Sequence, residues 1–407
     1  MLVPSRRAYG GAGCFDPRDP DLVRDPYPVF AELRAAGHPL WSEQLGMWLA
    51  ARYRDADAVV RHRALGRIHP PRQPEDLWAL FNQLECDSVL GCEPPKHTRL
   101  RGLLGKAFLR SNIEQLRPHI EELCAGLLDG LAERSRDGER FDLIADYAEP
   151  LPVMIIAELL GIPDGDRHLL RPWSAAMMKM NEYGRTPAAE AAARAAAAEF
   201  DAFVRELAAR RRRVPQDDLI THLVQAEQEG EQLSEDELVA TVVVLLNAGH
   251  EASVNCLGNG MVALLNHPDQ QRRLADRPVE LAATATEEFL RFDSPLHLFE
   301  RTAMADVEIG GVVVRTGERI AALLGSANRD PEVFERADQF DIGREPNPHI
   351  AFGGGVHFCV GAPLARVEVA IAMRCLIERF PRLRLAGIPV RRPAFVQRGW
   401  IHIPVTA

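Results

Sequence analysis

Residues 352–361 read Phe352-Gly353-Gly354-Gly355-Val356-His357-Phe358-Cys359-Val360-Gly361 and run into Ala362-Pro363-Leu364-Ala365-Arg366-Val367-Glu368, the start of an apolar-periodic segment that continues as a helix to Phe380. One cysteine therefore follows a glycine-rich loop at the start of a predicted helix. Glycines let the backbone pass close to a flat ligand, and free N–H groups at a helix N-terminus lower a thiol pKa and can donate to sulfur. A buried thiolate in such a nest is a good axial ligand for haem iron. A lone cysteine is also commonly a small buried hydrophobe, and three glycines are also simply a loop, so spacing alone leaves both readings open. The pattern is not a dinucleotide loop, because Phe358 stands where G-x-G-x-x-G counted from Gly353 needs its last glycine.

The run resembles the haem-binding signature of the cytochrome P-450 family, F-x-x-G-x-x-x-C-x-G with a basic residue two before the cysteine. Phe352, Gly355, His357, Cys359 and Gly361 all match. The resemblance implies a mainly α fold, the cytochrome P-450 triangular prism with a small β region. It also implies haem b with Cys359 as its axial iron ligand, and dioxygen as co-substrate.

Upstream, Ser234-Glu235-Asp236-Glu237 is a capping box, and helical periodicity follows it to about Asn266. The middle of that helix reads Asn247-Ala248-Gly249-His250-Glu251-Ala252-Ser253. A glycine inside a helix costs stability, and histidine or carboxylate in a buried one is unusual, which argues against a purely structural segment. A zinc site through H-E-x-x-H fails because position 254 is valine. The segment resembles the family's oxygen-binding motif, small-Gly-x-acid-Thr-Thr/Ser: Ala248, Gly249, Glu251 and Ser253 fit, and Ala252 departs from it. The family usually has a threonine hydroxyl there to support proton delivery. Ser253 cannot replace it, since the next helical residue points ~100° away. The expected proton route uses Glu251 and ordered water, with a polar group of the substrate as a further donor. Poor coupling, or an oxidation that tolerates a weaker relay, are the other readings of Ala252.

Pro94-Pro95 opens a helix carrying His97 and Arg101, four apart and so on one face. Two such cations suit a pair of carboxylates, although a solvated basic face has the same pattern. Pro-Pro-Lys-His-Thr-Arg-Leu-Arg resembles the family's propionate-binding helix, and by the same resemblance Arg301 is a further propionate partner. Glu288-Phe289-Leu290-Arg291 has the spacing of a surface ion pair worth ~0.3–0.5 kcal/mol. In the family this E-x-x-R is a buried brace, which assigns Glu288, Arg291 and Arg344 to the scaffold.

Candidate substrate contacts are spread along the chain. The stretch from Ala64 to Glu93, broken by proline and glycine, reads as a long functional loop bearing Trp78, Phe81 and Leu90. Residues 181–187 interrupt two helices at the position of the family's mobile lid, with Met178 between Met177 and Met180 beside them. Val244 and Asn247 on the central helix, Leu296, Leu298 and Phe299 after Ser294-Pro295, and Val396 near the C-terminus complete the set. All of these residue types serve equally well as ordinary core.

With 407 residues of even composition and no linker or repeat, the chain is expected to form a single haem domain over 1–407. A net charge of −10 argues against nucleic acid as a partner. Arg210 to Arg213 read as the solvated end of a helix. Seven irregularly spaced cysteines suggest a reduced, cytoplasmic protein. The start, Met1 to Arg7, lacks the apolar core of a signal peptide, and the run Leu238 to Gly249 falls short of the ~20 residues of a membrane span. No C-x-x-C-H is present to attach haem covalently. The family resemblance completes the expectation: a soluble, monomeric, bacterial-type monooxygenase that inserts one oxygen atom into a small organic substrate, by default as a hydroxylation, and takes electrons from a separate ferredoxin or flavodoxin. A peroxide-driven oxygenase and a non-catalytic haem-thiolate binding protein are the alternatives.

Overall fold

In the computed structural model the central helix spans Glu235–Leu265, and most of its side chains are buried. The structure describes residues 15–134, 140–228 and 233–407; the N-terminal segment read for a signal peptide, and Cys14, lie outside them. The capping box forms as expected: the Ser234 hydroxyl accepts from the Glu237 N–H at 3.2 Å, and the Glu237 carboxylate accepts from the Ser234 N–H at 3.0 Å. Two free N–H groups of the first turn are thereby satisfied. The helix is long and apolar enough to cross a bilayer, but 78% of its apolar window is buried against other elements, which makes it a core helix. Its packing needs small residues. A Cβ on Gly260 would lie 1.8 Å from the Phe289 ring, so glycine there lets the helix Pro278–Phe292 lie directly on the central one.

The other helices pack around this axis, among them Lys96–Ala107, Arg117–Arg134, Pro150–Leu160, Arg167–Met178, Pro187–Arg213 and Ala362–Arg379. One apolar core, including Leu100, Tyr147, Ile156, Phe200, Leu246 and Met373, joins them. At the edge of the helical body stands a five-stranded sheet in the order Leu40–Ser42, Met47–Ala50, Arg319–Ala322, Phe299–Ala303, Leu65–Gly66, with one parallel pairing, Met47–Ala50 on Arg319–Ala322. A hairpin pairs Val307–Ile309 with Val312–Val314, with Gly310 and Gly311 at φ of 56° and 86° in its turn.

Two readings need correction. The stretch 64–93 is not an open loop, because Glu75–Cys86 is a helix that buries Trp78 and Phe81 at 4% exposure each. Its prolines precede the helix, and Pro74 is its N-cap, where a missing N–H costs nothing. The strand Met47–Ala50 gives way almost directly to the helix Tyr53–Arg61. The basic run is not uniformly solvated: Arg211 is buried, its Nε donating to Asp218 at 2.6 Å and its Nη2 to the Gly161 carbonyl at 2.5 Å. Helices Leu219–Gln228 and Pro268–Asp276 went unread in the sequence.

Candidate haem and oxygen-activation site

Cys359 lies three residues before the helix Ala362–Arg379, in a loop whose glycines are shaped by close contacts. Gly355, at φ 65°, passes so near the helix Tyr53–Arg61 that a Cβ would meet the Val60 carbonyl oxygen at 2.8 Å. Gly353, at φ 70°, leaves room for the Phe299 ring. The Cys359 N–H donates to the Phe352 carbonyl at 3.1 Å, closing the loop, while the N–H groups of Gly361 and Ala362 point at the sulfur. These donors and Arg101 favour the thiolate, yet burial outweighs them and holds the free thiol above its ordinary range. The depressed pKa expected from the helix start is therefore not reached by the protein groups alone; a coordinated metal cation would remove the proton.

Basic side chains gather nearby. His97 and His357 stand with ring centroids 4.5 Å apart, and His357 Nε2 lies 2.9 Å from Glu93. Arg67 and Arg301 both approach the Phe299 ring, at 5.8 and 5.9 Å. Arg301 is 1% exposed, and its side chain donates to the Glu300 carbonyl at 2.9 Å. Burial pushes His97 down to about 4, with His357 and Arg101 adding to the effect, and pushes Arg301 down to about 9, with Arg67 adding. Among the described residues neither Arg101 nor Arg301 has a carboxylate at ion-pairing distance, and Glu93 is the acid whose charge acts on His97, His357 and Arg301. Buried cations in excess of anions call for an anionic partner. The two propionates of a haem meet that need, so the residues present fit the group.

On the central helix, Val244, Ala248, Gly249 and Ala252 keep accessible surface although the residues around them are buried. Their spacing places Val244, Ala248 and Ala252 on one stripe, which borders open space. Glu251 points elsewhere: buried at 4% exposure, it accepts from Arg392 Nη1 at 2.9 Å, and Arg392 is 26% exposed. Burial raises the Glu251 pKa, against the lowering by Arg392, with Glu149 and Glu182 raising it further. Next to it His250 is buried with both ring nitrogens unpartnered, and burial, then Arg171 and Arg392, push it down to about 4. The Ser253 hydroxyl faces the other way, 3.5 Å from the buried Glu368. A group that gives a proton must hold one, so replacing Arg392 by methionine, which removes the lowering influence, should move the alkaline limb of turnover to higher pH. An unchanged limb in a pH profile of Arg392→Met would separate Glu251 from proton supply.

The brace is closed on all sides. Arg291 donates to both oxygens of Glu288 at 2.8 Å, Arg344 Nε reaches Glu288 at 3.2 Å, and Glu288 and Arg291 are fully buried. Among the proposed substrate contacts, Leu296 and Phe299 keep some exposure, whereas Leu298 and Val396 are packed with Phe15, Phe30 and Phe395 in a separate apolar cluster. Leu90 is surface-exposed, with its carbonyl accepting from Arg67. Met178 is partly exposed, and Asn247 is buried with its amide 3.7 Å from the Met177 sulfur. The expected lid is tethered: Glu182 accepts the N–H groups of Phe395, Val396 and Gln397 at 2.9, 3.0 and 2.7 Å. Arg392, Glu182, Glu93 and Arg67 escaped the sequence reading, since each meets its partner across a long sequence gap and belongs to no motif.

A half-buried cysteine held by backbone donors, with bases awaiting two carboxylates beside it, defines a haem-thiolate protein. The cytochrome P-450 family profile matches residues 24–276 and 279–385. A biotin biosynthesis cytochrome P-450 of Bacillus subtilis is 35% identical over 390 residues, 95% of this chain and 97% of the relative. Nocardicin C N-oxygenase of Nocardia uniformis is 40% identical over 402 residues, 93% of this chain and 96% of the relative. A crystal structure of a cytochrome P-450 in complex with an acyl carrier protein ligated to hexadec-9Z-enoic acid superposes with a TM-score of 0.89 at 34% identity, covering 95% of this chain and 99% of that one. The chain belongs to the cytochrome P-450 family. It is a haem-dependent, oxygen-using monooxygenase that acts on a small molecule.

Proposed function

We propose that residues 1–407 work as one cytoplasmic, monomeric haem b domain that hydroxylates a small apolar substrate with electrons from a separate ferredoxin or flavodoxin. The observation that carries this reading is the accessible stripe Val244, Ala248 and Ala252 on an otherwise buried helix that packs against the helix following Cys359. When bound, haem supplies the activation of dioxygen. Cys359 would hold its iron, and His97, Arg101, Arg301 and His357 its propionates, with Phe352 and Gly361 shaping the pocket. The chain's own part is then to seat the substrate along the stripe, exclude water with Trp78 and Phe81, and move protons. Glu251 is the carboxyl that would pass a proton on, and Arg392 connects it to the surface.

Ala252 leaves a gap in this route, which a hydroxyl of the substrate would fill. Ala252→Thr should therefore raise product formed per reducing equivalent several-fold for substrates without a hydroxyl and change it little for those with one. Equal yields from both kinds of substrate in both proteins would end the substrate-assisted reading. Spin-state titration of the ferric haem protein with a compound library, followed by turnover with a ferredoxin pair, tests the function itself. The relative bound to an acyl carrier protein makes carrier-tethered substrates part of that library.

A further inference from the structure

We propose that Arg72 and Arg194 form an oxyanion-binding site at the edge of the substrate space, and that the substrate is an apolar chain with an anionic end. The inference rests on the monooxygenase reading above and adds a substrate class to it. Arg72 precedes the helix Glu75–Cys86, and Arg194 lies on the helix Pro187–Arg213. The two guanidinium groups come to the same indole: Arg72 is 5.5 Å from the Trp78 ring and 5.1 Å from Phe81, and Arg194 is 4.8 Å from Trp78.

Between them the two charges have one acid, and that pairing is weak. Arg72 reaches Glu85 at 3.4 Å, a long contact to a side chain that is 44% exposed. Its Nη2 also meets the Met180 carbonyl at 3.3 Å, and its Nε is buried without a partner. Arg194, partly buried, has no acidic partner at ion-pairing distance among the described residues. Two like charges drawn to one aromatic surface, one with an unused donor, leave an unsatisfied demand for an anion, and a guanidinium meets a carboxylate or phosphate with paired donors.

The surroundings define the rest of the ligand. The Met180 carbonyl belongs to the turn Lys179–Asn181, where the tethered lid begins. Trp78, Phe81, Met177 and Met180 share the continuous apolar core with the central helix, and Met177 touches Asn247, one residue before Ala248. An anionic head at Arg72 would thus sit against an apolar wall that is in continuous contact with the helix bearing the accessible stripe. A fatty-acid-like carboxylate and the phosphate of a carrier protein's phosphopantetheine arm share this chemistry.

The test uses the haem-loaded protein and ferric spin-state titration with dodecanoic acid, dodecan-1-ol, methyl dodecanoate and dodecanoyl acyl carrier protein, in wild type, Arg72→Gln and Arg194→Gln. One oxyanion form should bind about 10-fold more tightly than the alcohol or ester, and Arg72→Gln should weaken that form about 10-fold while changing the alcohol less than 2-fold. Arg194→Gln should weaken it by a smaller factor, about 3-fold. Whether free acid or carrier-bound chain loses affinity identifies the source of the anion. Acid and carrier-bound chain binding no better than the alcohol, or a variant weakening charged and neutral probes alike, overturns the site and makes the arginines a support for the aromatic wall. If that happens while the ferrous carbonyl spectrum retains the thiolate signature and neutral compounds shift the spin state, the monooxygenase reading stands without it. Loss of the thiolate signature in the wild type removes both.

Discussion

Replacing Arg291 with alanine is expected to destabilise the protein by about 3–5 kcal/mol and to abolish stable haem retention. Glu288 is fully buried and accepts from Arg291, Arg344, the Asp341 N–H and the Asn347 amide. The same guanidinium also donates to the carbonyls of Asn328, Ala337 and Gln339, which lie in the segment leading to the cysteine loop. Removing Arg291 strands a carboxylate in the interior and leaves the buried carbonyls of Asn328 and Ala337 with fewer donors, and both costs act at once. Denaturant midpoints at constant slope measure the loss. The conservative Arg291→Lys should recover only part of it, since one ammonium cannot reproduce the bidentate pairing. A loss below about 1 kcal/mol for Arg291→Ala would show that the network is dispensable to stability.

Cys359→Ser should leave a folded protein whose ferrous carbonyl spectrum lacks the thiolate signature, with monooxygenase turnover reduced by more than the ~10–100-fold that follows loss of an outer partner of a metal site. The substitution is nearly isosteric, and the N–H groups of Gly361 and Ala362 that face the sulfur can donate to a hydroxyl as well. Folding is thus separable from chemistry, which circular dichroism and thermal melting check independently of turnover. Turnover retained within a few-fold, with the thiolate signature intact, would move the metal ligand away from Cys359.

The elements legible in the chain were those with local causes. The capping box started the central helix where it was expected, because its two hydrogen bonds close within four residues. The Gly310-Gly311 hairpin and the loop before Cys359 were legible because positive φ restricts residue choice. The resemblance carried by residues 352–361 then brought the fold class and haem with it. The stretch 64–93 misled because proline reads as a breaker, whereas at an N-cap it is compatible with the helix that follows.

What the sequence by itself determined is the cysteine loop, the acid-bearing helix with alanine at 252, and the E-x-x-R pairing of Glu288 with Arg291, all set by spacing within one turn or one loop. Only the tertiary structure decided that Arg392, 141 residues away, holds Glu251, that Glu182 ties the lid to Phe395, Val396 and Gln397, and that Arg72 and Arg194 meet at Trp78. The reason is physical. Charge pairing and burial depend on distance through space, and folding brings such residues together without leaving a periodicity or a motif along the chain.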